Sequence, residues 1–167
     1  MEAKDIYQKL KDRFQDAILE LNDEVLQPYI KVTADQVDEI AEMLRDDDAF
    51  QFDYLMSLSG LDLGENLGVV YHLYSMKLNH KIVLKTEVPK EKPDVKTVCH
   101  IWRTADWHER EAYDLLGINF LNHPDLRRIL LPEDWEGHPL RKDYQPPKSW
   151  HGIPVTLEKE EDEDGAK

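Results

Sequence analysis

Read from its N-terminus, the chain sets its apolar residues first at helical spacing and then at strand spacing. Ile6, Leu10 and Phe14 recur every fourth position, which predicts a helix over residues 3–15. The runs DAILEL (16–21) and QPYIKV (27–32) read as two strands, with Asn22-Asp23-Glu24 and Pro28 near the turn between them. Thr33, with Gln36 three residues on, opens a second helix whose buried stripe is Val37, Ile40, Ala41 and Leu44. Asp46, Asp47 and Asp48 end it, because three acids oppose the negative end of a helix dipole. Alternation of period two follows in three runs: Phe52, Tyr54, Met56 and Leu58; Val69, Tyr71 and Leu73; then Ile82 and Leu84, with Val88 further on. The short links between them favour antiparallel neighbours, and Pro89 and Pro93 close the region. A helix near 97–116 comes last. The expected fold class is α+β: a mostly antiparallel sheet with helices packed on one face, followed by an irregular C-terminal arm. The expected boundaries are an α+β domain over 1–120, an extended arm that wraps a partner over 121–157, and an acidic disordered tail over 158–167.

The stretch from Asp106 to Asp143 alternates apolar and ionic residues too closely for a solvated loop. Its first third predicts a helix: Asp106 caps the N-terminus, Glu109 completes a capping box, and Gly117 is the stop. Ala105, Glu109, Ala112, Tyr113 and Leu116 share one stripe, which sets the acid Glu109 on the apolar face. Arg110 stands four residues from both Asp106 and Asp114 and can bridge either. Ile118-Asn119-Phe120 reads as a short extended piece. His123-Pro124 and His138-Pro139 begin turns, since proline pushes its predecessor towards extended backbone. Arg127, Arg128 and Arg141 offer planar forks suited to carboxylates, with Glu109, Glu111, Asp114 and Asp143 as the obvious acceptors. Such a network would fix the arm against the helix or against a partner. On that reading, Arg127→Ala or Arg141→Ala would cost roughly 3–5 kcal/mol if buried.

Three runs of this stretch carry a resemblance. The first is Glu109-Arg110-Glu111-x-Tyr113-Asp114-Leu115-Leu116-Gly117-Ile118-x-Phe120. The second is His123-Pro124-Asp125-Leu126-Arg127-Arg128-Ile129-Leu130, and the third is Glu136-Gly137-His138-Pro139-Leu140-Arg141-Lys142-Asp143. In that order they closely resemble the C subunit of NADH-quinone oxidoreductase, a hydrophilic component of respiratory complex I. The sequence departs from the family pattern at Leu116, where an aromatic is usual, and at Tyr144-Gln145, where Phe-Pro is usual.

The resemblance implies a structural, non-catalytic subunit of the peripheral arm, on the cytoplasmic side of the bacterial inner membrane. It implies packing chiefly on the D subunit beside the quinone site, with the B and I subunits as further neighbours. FMN and iron–sulfur clusters would belong to partner subunits, and the chain is expected to be separate from the D subunit rather than fused to it. The alternative is the equivalent subunit of a related membrane-bound hydrogenase-type complex.

Composition sharpens these expectations. The 167 residues carry a formal charge of −14, which argues against nucleic acid and against direct docking on anionic lipid. Six acids between Glu158 and Asp164 supply part of it. No apolar run approaches the roughly 20 residues of a membrane helix, and the first residues lack a signal peptide's apolar core, so a cytoplasmic location is expected. The lone cysteine, Cys99, reads as a small buried hydrophobe and excludes both an internal disulfide and a cluster held by four of the chain's own thiolates. Gly60, Gly64 and Gly68 lie between two strands and read as a hairpin loop, not a dinucleotide fingerprint. His108-Glu109-Arg110-Glu111-Ala112 lacks the second histidine of the zincin motif. The spacing of His100, His108, His123 and His138 is not diagnostic, so neither a metal nor a catalytic residue is expected.

Overall fold

The computed structural model describes residues 1–155. The expected acidic tail over 158–167 lies outside the described residues. Helix α1 (Ala3–Phe14) and a 3-10 turn (Gln15–Ala17) lead into β1 (Ile18–Asn22) and β2 (Tyr29–Val32). Helix α2 (Val37–Asp46) precedes three long strands, β3 (Tyr54–Asp62), β4 (Asn66–Ser75) and β5 (His80–Pro89). The sheet order is β1-β2-β5-β4-β3. Three of its pairings are antiparallel, and β2 runs parallel to β5. The fold is therefore α+β, with a mixed but mostly antiparallel sheet.

Register explains which residues face the core. Ile30 lies opposite Leu84, Leu84 opposite Tyr71, and Tyr71 opposite Leu58, so one row crosses four strands on a single face. All four are buried, and they join the helix stripes Ile6/Leu10 and Val37/Ile40/Ala41/Leu44 in one cluster. The run from Phe52 to Leu58 departs from simple alternation. A bulge between Leu55 and Ser57 resets the parity, so Leu55 and Leu58 are buried while Tyr54 and Met56 are exposed.

Both capping boxes expected from sequence are absent. Helix α2 starts at Val37 without a side-chain cap, because the Thr33 amide still bonds Ala17 O at the end of the β1–β2 ladder. The last helix, α3 (Ala105–Leu116), starts later than residue 97. The segment before it turns instead: the Trp102 amide bonds Val98 O, and its indole N–H donates to Phe52 O at 3.0 Å. Before and after α3 lie β6 (Asp94–Lys96) and β7 (Asn119–Leu121), a parallel pair that alternation could not reveal in three-residue strands. Of the three spaced glycines, only Gly64 sits in the hairpin turn. Gly60 lies inside β3 under α3, where an added Cβ would stand 2.5 Å from Leu116 Cδ1. The close approach of helix to sheet needs that missing side chain.

Candidate functional site: the collar around the last helix

Helix α3 ends at Gly117, whose left-handed backbone (φ +73°) returns its amide to Tyr113 O. Four terminal carbonyls of a helix need partners from outside its own ladder. Here the Gly117 amide takes one, Tyr113 O, and the arm supplies partners for the other three. Asp114 O accepts from His138 Nδ1–H at 2.9 Å and from Arg128 Nη1 at 3.3 Å. Leu115 O accepts the Leu140 amide at 3.0 Å, and Leu116 O accepts Arg141 Nε at 2.7 Å. Two guanidinium groups thus sit at the negative end of the helix. A Cβ on Gly117 would lie 2.6 Å from the His138 ring, so the stop residue is also the seat of the collar.

The reverse half of the clasp is Asp114, whose side chain is fully buried. Its Oδ2 accepts three consecutive amides, Ile129, Leu130 and Leu131, at 3.0, 2.8 and 2.9 Å. Its Oδ1 takes Arg128 Nη1 at 2.7 Å. Successive amides of this kind form an anion-binding nest. Burial alone would raise the Asp114 carboxyl; the Leu131 and Leu130 amides, Arg128 and the Ile129 amide outweigh it and hold it below the ordinary range. Arg128 also reaches Trp135 O and Gly137 O, at 2.9 and 3.0 Å. Arg110, buried, donates to Arg127 O and Arg128 O and stacks over Trp107. Burial lowers the His138 pKa; the hydrogen bond to Asp114 O opposes this, while Arg141 and Arg128 add to the lowering. Tyr113 packs edge-on against it.

The charges therefore pair differently from the carboxylate network expected from sequence. Of the motif arginines, only Arg128 meets a helix carboxylate among the described residues. Arg110 and Arg141 spend their forks on backbone carbonyls, because the loop and helix end present those first. Arg127 is 63% exposed and pairs with Asp125, outside the collar. Glu111 is exposed, with no ion-pair partner among the described residues. Asp143 meets Lys90 at 3.3 Å, and the Lys142 amide donates to Asp62 Oδ2 at 2.8 Å. That amide first, then Gly64 and Lys90, brings the Asp62 carboxyl down to about 2 against a smaller cost of burial. Asp62 and Lys90 carry no sequence signal, since the contact spans distant parts of the chain. Phe120 is core, while Pro124 and Pro139 shape the turns after their histidines, and Gly137 turns at φ +79° beside the Tyr144 ring. The arm expected to wrap a partner is itself clasped to its own domain as far as Asp143.

Glu109 faces the other way, into the core. Its Oε1 accepts the Val98 amide at 2.7 Å and its Oε2 accepts the Thr97 hydroxyl. Burial pushes its carboxyl up to about 7, with Thr97 and Val98 opposing. His123 Nε2 lies 3.8 Å from Glu109 Oε2 and 3.4 Å from Asp106 Oδ1, its side chain fully buried. Cys99 stands beside them and is half-buried, more open than expected of a small hydrophobe.

Outside the clasp the surface is apolar. Trp107, Leu130 and Leu140 are 61%, 63% and 59% exposed. Two shallow hollows share His108 and Glu111: one is walled by Trp107, Ile129 and Leu130, the other by Leu115, Leu140 and the β3 segment 57–60. No helix among the described residues is long and apolar enough to cross a membrane.

The family model described as "Respiratory-chain NADH dehydrogenase, 30 Kd subunit" matches residues 30–149. The C subunit of NADH-quinone oxidoreductase from Chloroherpeton thalassium is 47% identical over 89% of this chain, which spans 63% of that relative's length. Its counterpart from Chlorobium phaeobacteroides is 42% identical over 89% of this chain and 92% of its own. Among solved structures, a trypsin-resistant fragment of Nqo5 superposes with TM-score 0.58 at 27% identity, covering 71% of this chain and 97% of the fragment. A component of a membrane-bound sulfane sulfur reductase, an archaeal respiratory membrane complex, shares the fold with TM-score 0.70 at 20% identity, over 87% of this chain and 86% of that one.

Proposed function

This chain belongs to the family of the 30 kDa subunit of respiratory-chain NADH dehydrogenase, and from that premise we propose that it is a non-catalytic scaffold subunit of an NADH:quinone oxidoreductase. In that complex electrons pass from NADH through FMN and iron–sulfur centres to quinone, coupled to proton translocation. The chain holds none of those redox groups; FMN and the clusters belong to partner subunits. It packs chiefly on the large D subunit beside the quinone site, with the B and I subunits as further neighbours. It lies on the cytoplasmic side of the bacterial inner membrane and meets the membrane only through the complex.

One observation carries this reading. The motif residues are spent on holding the arm, and the held arm turns apolar side chains outward. Arg110, Asp114, Arg128, His138 and Arg141 bond within the chain, whereas Trp107, Leu130 and Leu140 stand more than half exposed around Glu111. Solvent-facing tryptophan and leucine on a rigid frame match the anchors of a protein interface. Glu111 in their midst calls for a cation on the partner.

The test is affinity capture of the tagged chain from native membrane extract, with identification of its companions. An NADH-oxidising module together with the large quinone-site subunit is the expected set. A nickel–iron large subunit without an NADH module, or no companions at all, would overturn the proposal.

A further inference from the structure

The cluster on the core side of α3 serves neither the clasp nor the outer apolar surface. Spacing along the chain hides it, because its members come from three elements. The parallel pairing of β6 with β7 sets Val95 opposite Phe120 and Lys96 opposite Leu121, and the Thr97 amide bonds Leu121 O at 3.1 Å. The segments leaving the two strands therefore emerge side by side at the same end, carrying Cys99 and His123. There they meet Asp106 and Glu109, one turn apart on α3.

We propose that Cys99, Glu109 and His123 form a binding site for a divalent metal of the zinc class. Their ligand atoms all lie within 4.8 Å of one another, with His123 Nε2 3.8 Å from Glu109 Oε2. Ligands around a tetrahedral zinc, bonded at roughly 2.0–2.3 Å, stand closer than this, so the site contracts slightly on loading. Thiolate, imidazole and carboxylate together suit zinc, whereas calcium and magnesium take oxygen ligands. Asp106 Oδ1, 3.4 Å from His123 Nε2, is placed as a fourth ligand or as the acceptor for a metal-bound water.

An independent observation points the same way. The His123 side chain is fully buried, yet Nε2 has no hydrogen-bond partner among the described residues, and neither does Asp106 Oδ1. Their mutual contact, at 3.4 Å, is too long for a good hydrogen bond, and buried polar atoms so poorly partnered are uncommon in a folded protein. A metal ion between them supplies what both need. One contact opposes loading: His123 Nδ1 accepts the Asp125 amide at 3.1 Å, which places the ring proton on Nε2. That amide is exposed and can turn to water, so the ring proton moves to Nδ1 as Nε2 coordinates. The Cys99 thiol proton, and the Glu109 carboxyl proton where it is present, are released to solvent on binding.

The site is independent of which complex the chain serves, and it is tested on the purified full chain. Titration with Zn(II) alone should show one bound equivalent that raises the thermal midpoint. Co(II) should give the near-ultraviolet band of a thiolate-to-metal charge transfer. Cys99→Ser, a near-isosteric change at a half-buried position, should keep the circular dichroism, abolish that band and weaken Zn(II) binding at least about tenfold. His151→Ala, at an exposed histidine away from the cluster, should change nothing. Absence of a stoichiometric bound metal in the wild type would overturn the site. So would Zn(II) affinity unchanged in Cys99→Ser, which would assign the ion to other histidines.

Discussion

Replacing Asp114 by alanine removes one carboxylate and strips four donors at once. The Ile129, Leu130 and Leu131 amides lose an acceptor at 2.8–3.0 Å, and Arg128 loses its ion pair at 2.7 Å. Each unsatisfied buried donor costs about 1–3 kcal/mol, so a simple sum over three amides would reach roughly 3–9 kcal/mol. Leu130 is largely exposed, however, and water will recover part of that. A net loss of about 3–5 kcal/mol is expected, the usual cost of breaking a buried charged pair from one side. That is a large share of the roughly 5–15 kcal/mol of a typical domain. It should appear as a fall in the thermal midpoint of roughly 6–20 °C and an earlier urea midpoint. Hydrogen exchange localises the effect: the amides of Ile129, Leu130 and Leu131 should lose protection, while the β4 and β5 amides keep theirs relative to global stability. Arg128→Ala should be non-additive with Asp114→Ala by about 1–3 kcal/mol in a double-mutant cycle. Destabilisation by Asp114→Ala of under about 0.5 kcal/mol, with those three amides still protected, would refute the clasp.

The remaining expectations follow from the same geometry. Arg127→Ala should change stability by no more than about 0.5 kcal/mol in urea denaturation, because its pair with Asp125 is exposed; Arg141→Ala, which uncaps Leu116 O, should cost about 1–2 kcal/mol. Gly117→Ala should cost about 2–4 kcal/mol by the same assay, from left-handed backbone plus contact with the His138 ring, and an unchanged midpoint would remove the collar's seat from the account. Asp62 titrates near 2 in the folded chain against an ordinary 3.8, so its contribution is present above about pH 4 and lost as pH falls through about 2. Proteolysis of the arm, measured with an acid-active protease, should therefore rise over that window in the wild type. In Asp62→Asn it should already be raised at about pH 5; equal sensitivity of the two there would contradict the link between Asp62 and the Lys142 amide.

Much of this arrangement is legible along the chain, and the failures have physical causes. The stripes Ile6/Leu10 and Val37/Ile40/Ala41/Leu44 each appear in the core because helical spacing survives any tertiary context. Gly117 is readable as the helix stop, since few other residues accept that backbone conformation. The parity of β3 is not readable, because nothing in Leu55-Met56-Ser57 announces a bulge. The ion pairs could not be assigned for a deeper reason. The donors of a guanidinium can be met by a carboxylate or by a row of carbonyls, and only the fold decides which they meet. Glu109 shows the same limit. Its place on the apolar stripe is visible in the sequence, whereas its partners Thr97 and Val98 arrive from before the helix. His123 and Cys99 reach it only through a parallel strand pair too short to carry a pattern.

Under the proposed function, the clasp holds out the apolar surface of Trp107, Leu130 and Leu140 for a partner subunit. The most direct test is co-purification from native membranes of the double variant Trp107→Ala/Leu130→Ala against the wild type, with both proteins checked for thermal midpoint in isolation. The midpoints should lie within a few degrees of each other, and the large quinone-site subunit should be lost from the variant alone. Retention of the full set of companions by a variant that is folded as well as the wild type would contradict that function.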